Sequence, residues 1–233
     1  MAQPKKKRNQ VPEPNLSLVP DQPRFAPPGP LVAKTQAQKQ YLNSIKVNPL
    51  TFGVGSAGTG KTYVALAMAA QMLVSHDIER LVLVRPLVEA GEELGALPGE
   101  LGDKLQPWVL PMMDILYERL GPTHTKYLLG NDRIRVSPLA YMRGSTFSNT
   151  FVMLTEAQNT SVTQMMMFLT RIGDGAKVVV DGDPRQSDVR GKNGLEDAIE
   201  RLDDLRGVGM VEFVRQDIVR SGLCQDIVER YEG

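Results

Sequence analysis

Gly55-Ser56-Ala57-Gly58-Thr59-Gly60-Lys61-Thr62 fits the spacing G-x-x-x-x-G-K-[ST] without a mismatch, and the reading of the whole chain follows from it. The glycines allow a turn tight enough for successive backbone N–H groups to surround phosphate oxygens. The helix opening at Gly60 turns its positive end toward the same anion. Lys61 is placed to reach the β- and γ-phosphates, and the Thr62 hydroxyl to ligate Mg²⁺. The context fits: Leu50–Val54 reads as a short buried strand, and Tyr63–Met72 as a strong helix former. A Gly-rich turn that binds nothing is the plainer alternative, but the strand–loop–helix setting speaks for a nucleoside triphosphate.

The chain has 233 residues, 42% hydrophobic and 23% charged, which suits one α/β domain with its own core. No apolar run approaches the length of a membrane helix, and the basic, Pro-rich N-terminus has no secretory apolar region. The single cysteine, Cys224, forms no internal disulfide and fits a reducing cytoplasm, the host's if the chain is phage-encoded. His76 and His124 have no ligand cluster around them, which argues against zinc. The net charge of zero is uneven: seven Lys/Arg against two acids before residue 41, and the opposite excess beyond. Half of the 16 prolines precede Leu31. Residues 1–34 therefore read as a disordered tail, either a solubilising segment or a basic arm for nucleic acid phosphate. Residues 35–233 read as the folded domain.

Along that domain helices and strands alternate. Helices are expected at Thr35–Ile45, Lys61–Ser75, Leu101–Leu120 (broken or kinked at Pro107 and Pro111), Ser161–Ile172, Leu195–Leu205 and Gln225–Tyr231. Strands are expected at Leu50–Val54, Arg80–Val84, Arg133–Ser137, Phe151–Leu154, Ala176–Val180 and Val208–Phe213. Continuous apolar strands separated by helices imply a parallel sheet covered on both faces.

A phosphate loop alone does not hydrolyse. That chemistry needs one carboxylate to place Mg²⁺ and another to activate water. Glu156, following Phe151–Leu154, is the candidate general base, but Thr155 stands where a metal-orienting Asp is expected. Past the next strand, Gly182-Asp183-Pro184-Arg185-Gln186 offers Gln186 as a contact to the γ-phosphate.

With these motifs in this order, the chain resembles the PhoH family of ATPases, allied to superfamily 1 helicases. The resemblance runs from about Thr35 to Tyr231. It is carried by Gly55–Thr62, Arg85-Pro86-Leu87-Val88-Glu89-Ala90-Gly91-Glu92-Glu93-Leu94-Gly95, Pro138–Gly144, Glu156–Thr160, Phe168–Arg171 and Gly182-Asp183-x-x-Gln186. It implies a single RecA-like P-loop domain that binds ATP with Mg²⁺ and hydrolyses it in concert with single-stranded RNA. It assigns nucleotide contacts to Gln38, which reads adenine, and to Gly55, Ser56, Ala57, Gly58, Thr59, Gly60, Lys61, Thr62 and Tyr63. The length matches the short stand-alone form common in bacteriophages.

Two departures stand out. The family's Asp-Glu-Ala-Gln begins here with Thr155, and its Thr-Gly-Asp begins here with Asp181. The resemblance implies that the strand before Asp181 lies between the P-loop strand and the Glu156 strand. Thr155 and Asp181 then sit side by side, about 5 Å apart, so that the carboxylate has changed strands. Thr62, Asp181 and Glu156 then form the metal side of the site. The rival reading is a module that binds nucleotide and barely hydrolyses it, gated by nucleotide for RNA binding or assembly; a small-molecule kinase is a third. One such domain lacks the arginine that a second domain supplies in helicases, so a neighbouring subunit must provide it in a head-to-tail ring, a hexamer by the resemblance. Arg220, Arg215, Arg171 and Arg143 are the candidates, with Arg220 best matched although Ser221-Gly222 replaces the family's His-Pro. Arg85 and Arg143 are the candidate RNA contacts, against which stand Glu89, Glu92 and Glu93. Trp108 and Tyr141 are expected to be packed, and Met165–Met167 to serve core or interface.

Overall fold

In the computed structural model, residues 29–86 and 101–219 are described, together with Gly222 and Arg230. Arg220, the acidic residues of the 87–100 segment, Cys224 and the helix expected at 225–231 lie outside them, apart from Arg230, as do residues 1–28 of the tail. The order is α1 (Gln36–Val47), β1 (Leu50–Gly55), α2 (Lys61–Val74), β2 (Arg80–Arg85), α3 (Leu101–Leu120) and α4 (Pro122–Gly130). It continues with β3 (Ile134–Pro138), β4 (Thr150–Leu154), α5 (Val162–Leu169), β5 (Lys177–Gly182), α6 (Gly194–Leu202) and β6 (Val208–Phe213). No described helix is long and apolar enough to cross a membrane.

All pairings are parallel, in the order β3-β2-β4-β5-β1-β6. Strands such as Leu81–Val84 and Val178–Val180 are apolar at every position because both faces are covered. One core cluster fills the side of α1 to α4. The other fills the side of α5, α6 and a short 3₁₀ turn at Leu139–Met142. The chain leaves β1 and returns at β2, three places away, with β5 and β4 between. Crossovers of this kind open a crevice at the carboxyl ends of the strands, where ligands bind in such sheets.

Local chemistry explains most boundaries. Thr35 caps α1 by accepting from the Gln38 N–H. Ser161 and Asn193 form capping boxes with Gln164 and Glu196, each satisfying two backbone donors at a helix start. Ser161 is thus the cap the sequence suggests, but α5 stops at Leu169, where Thr170 takes over. Three readings are corrected. α3 runs unbroken through Pro107 and Pro111, because its apolar stripe Val109, Met112, Met113, Leu116 and Leu120 is buried; that burial offsets the roughly 3 kcal/mol of an interior proline. α4 was not expected at all. Tyr141 is 60% exposed, not packed. Met165 is buried while its neighbour Met166 is 62% exposed, as the 100° step of a helix dictates.

Candidate nucleotide and metal site

The P-loop leaves β1 and enters α2 with Gly60 as N-cap at φ 82°, a left-handed conformation that glycine adopts without strain. A side chain there would also meet the Gln38 amide, 2.9 Å from the position of a Cβ. Gln38 is itself buried: its Nε2 donates to Thr59 O (2.9 Å) and its Oε1 accepts from Lys34 N–H (2.8 Å). The glutamine therefore braces the loop against residues preceding α1. Those residues touch the domain in their own right, since Gly29 O accepts from Arg119 Nη2 at 3.0 Å. Gln38, Lys34, Leu31, Tyr63 and Arg119 line a hollow of about 320 Å³ that also reaches Gly58 and Gly60.

Lys61 curls back into the loop, its Nζ donating to Gly55 O (2.6 Å) and Ser56 O (2.8 Å). Burial lowers its pKa, while the nearby carboxylates of Asp181, Asp183 and Glu156 pull it upward. Thr62 Oγ1 donates to Asp181 Oδ2 at 2.6 Å, tying the P-loop helix to the end of β5. Asp181 is only 3% exposed. Burial raises its carboxyl to a pKa of about 6, against the opposing effects of the Thr62 hydroxyl and the Lys61 charge.

β5 lies between β1 and β4, with Gly53 paired to Asp181 and Leu154 to Val180. Thr155, one residue past Leu154, is thus level with Asp181. Its N–H donates to Val84 O at 3.0 Å, but its buried Oγ1 has no partner. A buried hydroxyl without a partner costs about 1–3 kcal/mol, which suits a place that a ligand or water completes. The oxygen donors of Thr62 and Asp181, with this hydroxyl on the next strand, fit a hard cation such as Mg²⁺ bound beside phosphate and keeping several waters. No cluster of three His, Cys, Asp or Glu is present among the described residues.

One cleft of about 410 Å³ brings together Ala57, Gly58, Gly60, Lys61, Thr62 and Tyr63 with Glu156, Asp181 and Gln186. Glu156 holds a left-handed conformation (φ 54°, ψ 39°). Gln158 and Asp183 join the same cleft, though the sequence reading gives them no role. Gly55 and Ser56 face a second hollow of about 630 Å³ with Arg185 and Arg215. Arg85 ends β2 and Arg143 follows the turn after β3, and neither lines the cleft. Arg171 follows α5 near the starting ends of the strands, where its carbonyl accepts from Phe147 N–H.

A family model described as PhoH-like protein matches residues 30–232. The PhoH-like protein of Bacillus subtilis is 46% identical over 201 residues, covering 85% of this chain and 63% of its own length. Protein PhoH of Escherichia coli K12 is 43% identical over 206 residues, covering 87% of this chain and 58% of its own length. This chain thus spans less than two thirds of the length of these relatives. Among solved structures, the large terminase of a thermophilic bacteriophage is similar at a TM-score of 0.51 and 12% identity, over 85% of this chain and 49% of that one. Another crystal form of it, in complex with ADP, gives 0.50 and 13%. At such identity the likeness is one of fold, whereas the family match spans nearly every described residue: the chain belongs to the PhoH-like family.

Proposed function

We propose that this chain binds ATP with Mg²⁺, hydrolyses it, and couples the cycle to single-stranded RNA as a head-to-tail ring. The observation that carries the reading is the 2.6 Å bond from Thr62 to Asp181, which joins the phosphate loop to a buried carboxylate in a cleft that also holds Glu156 and Gln186. In this reading the P-loop N–H groups and the Lys61 ammonium bind the phosphate chain. Lys61 exchanges its two carbonyl partners for phosphate oxygens as it does so. Thr62 and Asp181 would hold Mg²⁺, which would supply neutralising charge to the phosphates. Glu156 orients the attacking water and accepts its proton, and Gln186 contacts the γ-phosphate. Gln38 and the hollow beside Tyr63 receive the base.

The arginine that stabilises transition-state charge comes from a neighbouring subunit, with Arg220, Arg215, Arg171 and Arg143 as candidates. Arg85, Arg143 and the basic N-terminal segment meet RNA phosphates. The tail ends before Gly29, since residues 29–34, expected as part of it, are bonded to the domain, and the ATPase domain acts in the cytoplasm. A second reading is favoured by one observation: Thr155 carries a partnerless hydroxyl where the family has a carboxylate. It makes the chain a nucleotide-gated RNA-binding or assembly module with little turnover.

Steady-state ATPase assays with Mg²⁺, with and without single-stranded RNA, test both. The proposal expects RNA-stimulated hydrolysis that Lys61→Ala abolishes. ATP binding without turnover in either condition establishes the second reading instead.

A further inference from the structure

Four non-glycine residues are described at positive φ, and of these only Glu156 lines the nucleotide cleft. A left-handed backbone at such a residue costs about 1–3 kcal/mol and persists where its surroundings fix it. The Glu156 main-chain N–H is turned to the Asp181 carboxylate, while its side chain is held by Gln158, itself only 2% exposed. Gln158 Nε2 donates to Glu156 Oε2 at 2.7 Å, while its Oε1 accepts from the Asp183 N–H at 3.2 Å. A main-chain N–H can only donate, so the amide oxygen must face Asp183 and the NH₂ group must face Glu156. The packing is close on that side too: a Cβ on Gly182 would lie 2.6 Å from Gln158 Oε1.

The chain of bonds continues. Asp183 Oδ1 accepts from Arg185 N–H at 3.2 Å, and its Oδ2 accepts from Gln186 Nε2 at 3.1 Å. Ser187 Oγ donates back to the Gln158 carbonyl at 2.9 Å. Gln186 is exposed on the cleft. A terminal phosphate entering there competes with the Asp183 carboxylate for the Gln186 amide, since both are anionic acceptors. Any shift of Asp183 then moves the N–H that orients Gln158.

We propose that Gln158 is a positioning residue that couples the orientation of Glu156 to the Asp183–Gln186 turn, so that a γ-phosphate drawing Gln186 away from Asp183 resets the base. This rests on the reading of Glu156 as base and Gln186 as phosphate contact. The coupling runs beside the direct contact of the Glu156 N–H with the Asp181 carboxylate.

Hydrogen exchange on the full chain with bound ATPγS or ADP tests it, alongside kinetics. In the wild type, residues 155–160 and 182–188 both change protection between the two nucleotides. In Gln158→Met, 182–188 still responds and 155–160 does not, and kcat falls roughly a hundredfold, as for a misplaced catalytic group, with KM nearly unchanged. Gln158→Glu keeps the shape and the acceptor for Asp183 while removing the donor to Glu156. It gives the same kcat loss with the 182–188 response intact, and serves if the Met variant fails to fold. The proposal is overturned if 155–160 still responds in Gln158→Met, if neither wild-type segment distinguishes the nucleotides, or if kcat and KM shift together. Absence of wild-type turnover would defeat the ATPase reading alone, because the exchange comparison needs only binding.

Discussion

Asp181 carries two opposing demands. Its burial raises the carboxyl to a pKa of about 6, whereas an unfolded chain ionises near the ordinary carboxylate value. The folded state thus holds its proton more tightly. The relative stability is complete below the unfolded pKa and is lost as pH rises through about 6, by up to about 3 kcal/mol. In nucleotide-free, metal-free buffer, Asp181→Asn should therefore raise the unfolding free energy at pH 8 more than at pH 5, as read by urea denaturation. An equal effect at both pH values would show that the carboxylate is not penalised. The same substitution should abolish hydrolysis, and adding Thr155→Asp should recover part of it by returning a carboxylate to the neighbouring strand end. If the double variant stays inactive, the idea that the carboxylate changed strands is wrong. The sequence shows both departures, Thr155 and Asp181, and the resemblance sets them on adjacent strand ends, as the sheet order bears out. Neither shows that the Thr155 hydroxyl lacks a partner. That depends on side-chain placement.

Among the elements, α3 shows how packing overrides local preference. Pro107 and Pro111 argue for a break, yet the helix is continuous, with Leu116 fully buried against its neighbours. Leu116→Ala should cost about 2–5 kcal/mol, seen as a lower urea midpoint, more than a surface substitution such as Leu110→Ala on the exposed side of the same helix. Comparable losses at both positions would mean that the stripe does not hold the helix. α4 was illegible for the opposite reason. Its nine residues bury only Thr125 and Leu128, too few for a periodic signal, although Pro122 at its start is a usable one. The strands were legible because each is a short apolar run bounded by turn residues. Strand ends shifted by a residue or two where sheet pairing extended them, as at Gly55, Arg85 and Gly182.

At the scale of the whole molecule, the cleft holds Lys61, Glu156, Asp181 and Gln186 but, among the described residues, no arginine side chain. A transition-state arginine is worth on the order of 10³ or more in rate. If a neighbouring subunit supplies it, ATPase activity per subunit should fall steeply on dilution through the range where the assembly dissociates, in step with mass measured by light scattering. Activity independent of concentration across that range would place the arginine within the chain. The phosphate loop, the parallel α/β class and the family were legible from the residues alone, because glycine spacing and apolar runs are local properties that survive without neighbours. What the motifs do to one another came only with the fold: that Thr62 grips Asp181, and that Gln158 joins Glu156 to Asp183. Those contacts span up to 119 positions of sequence. Their energies depend on burial and on hydrogen-bond geometry, which arise only once the sheet has brought its strand ends together.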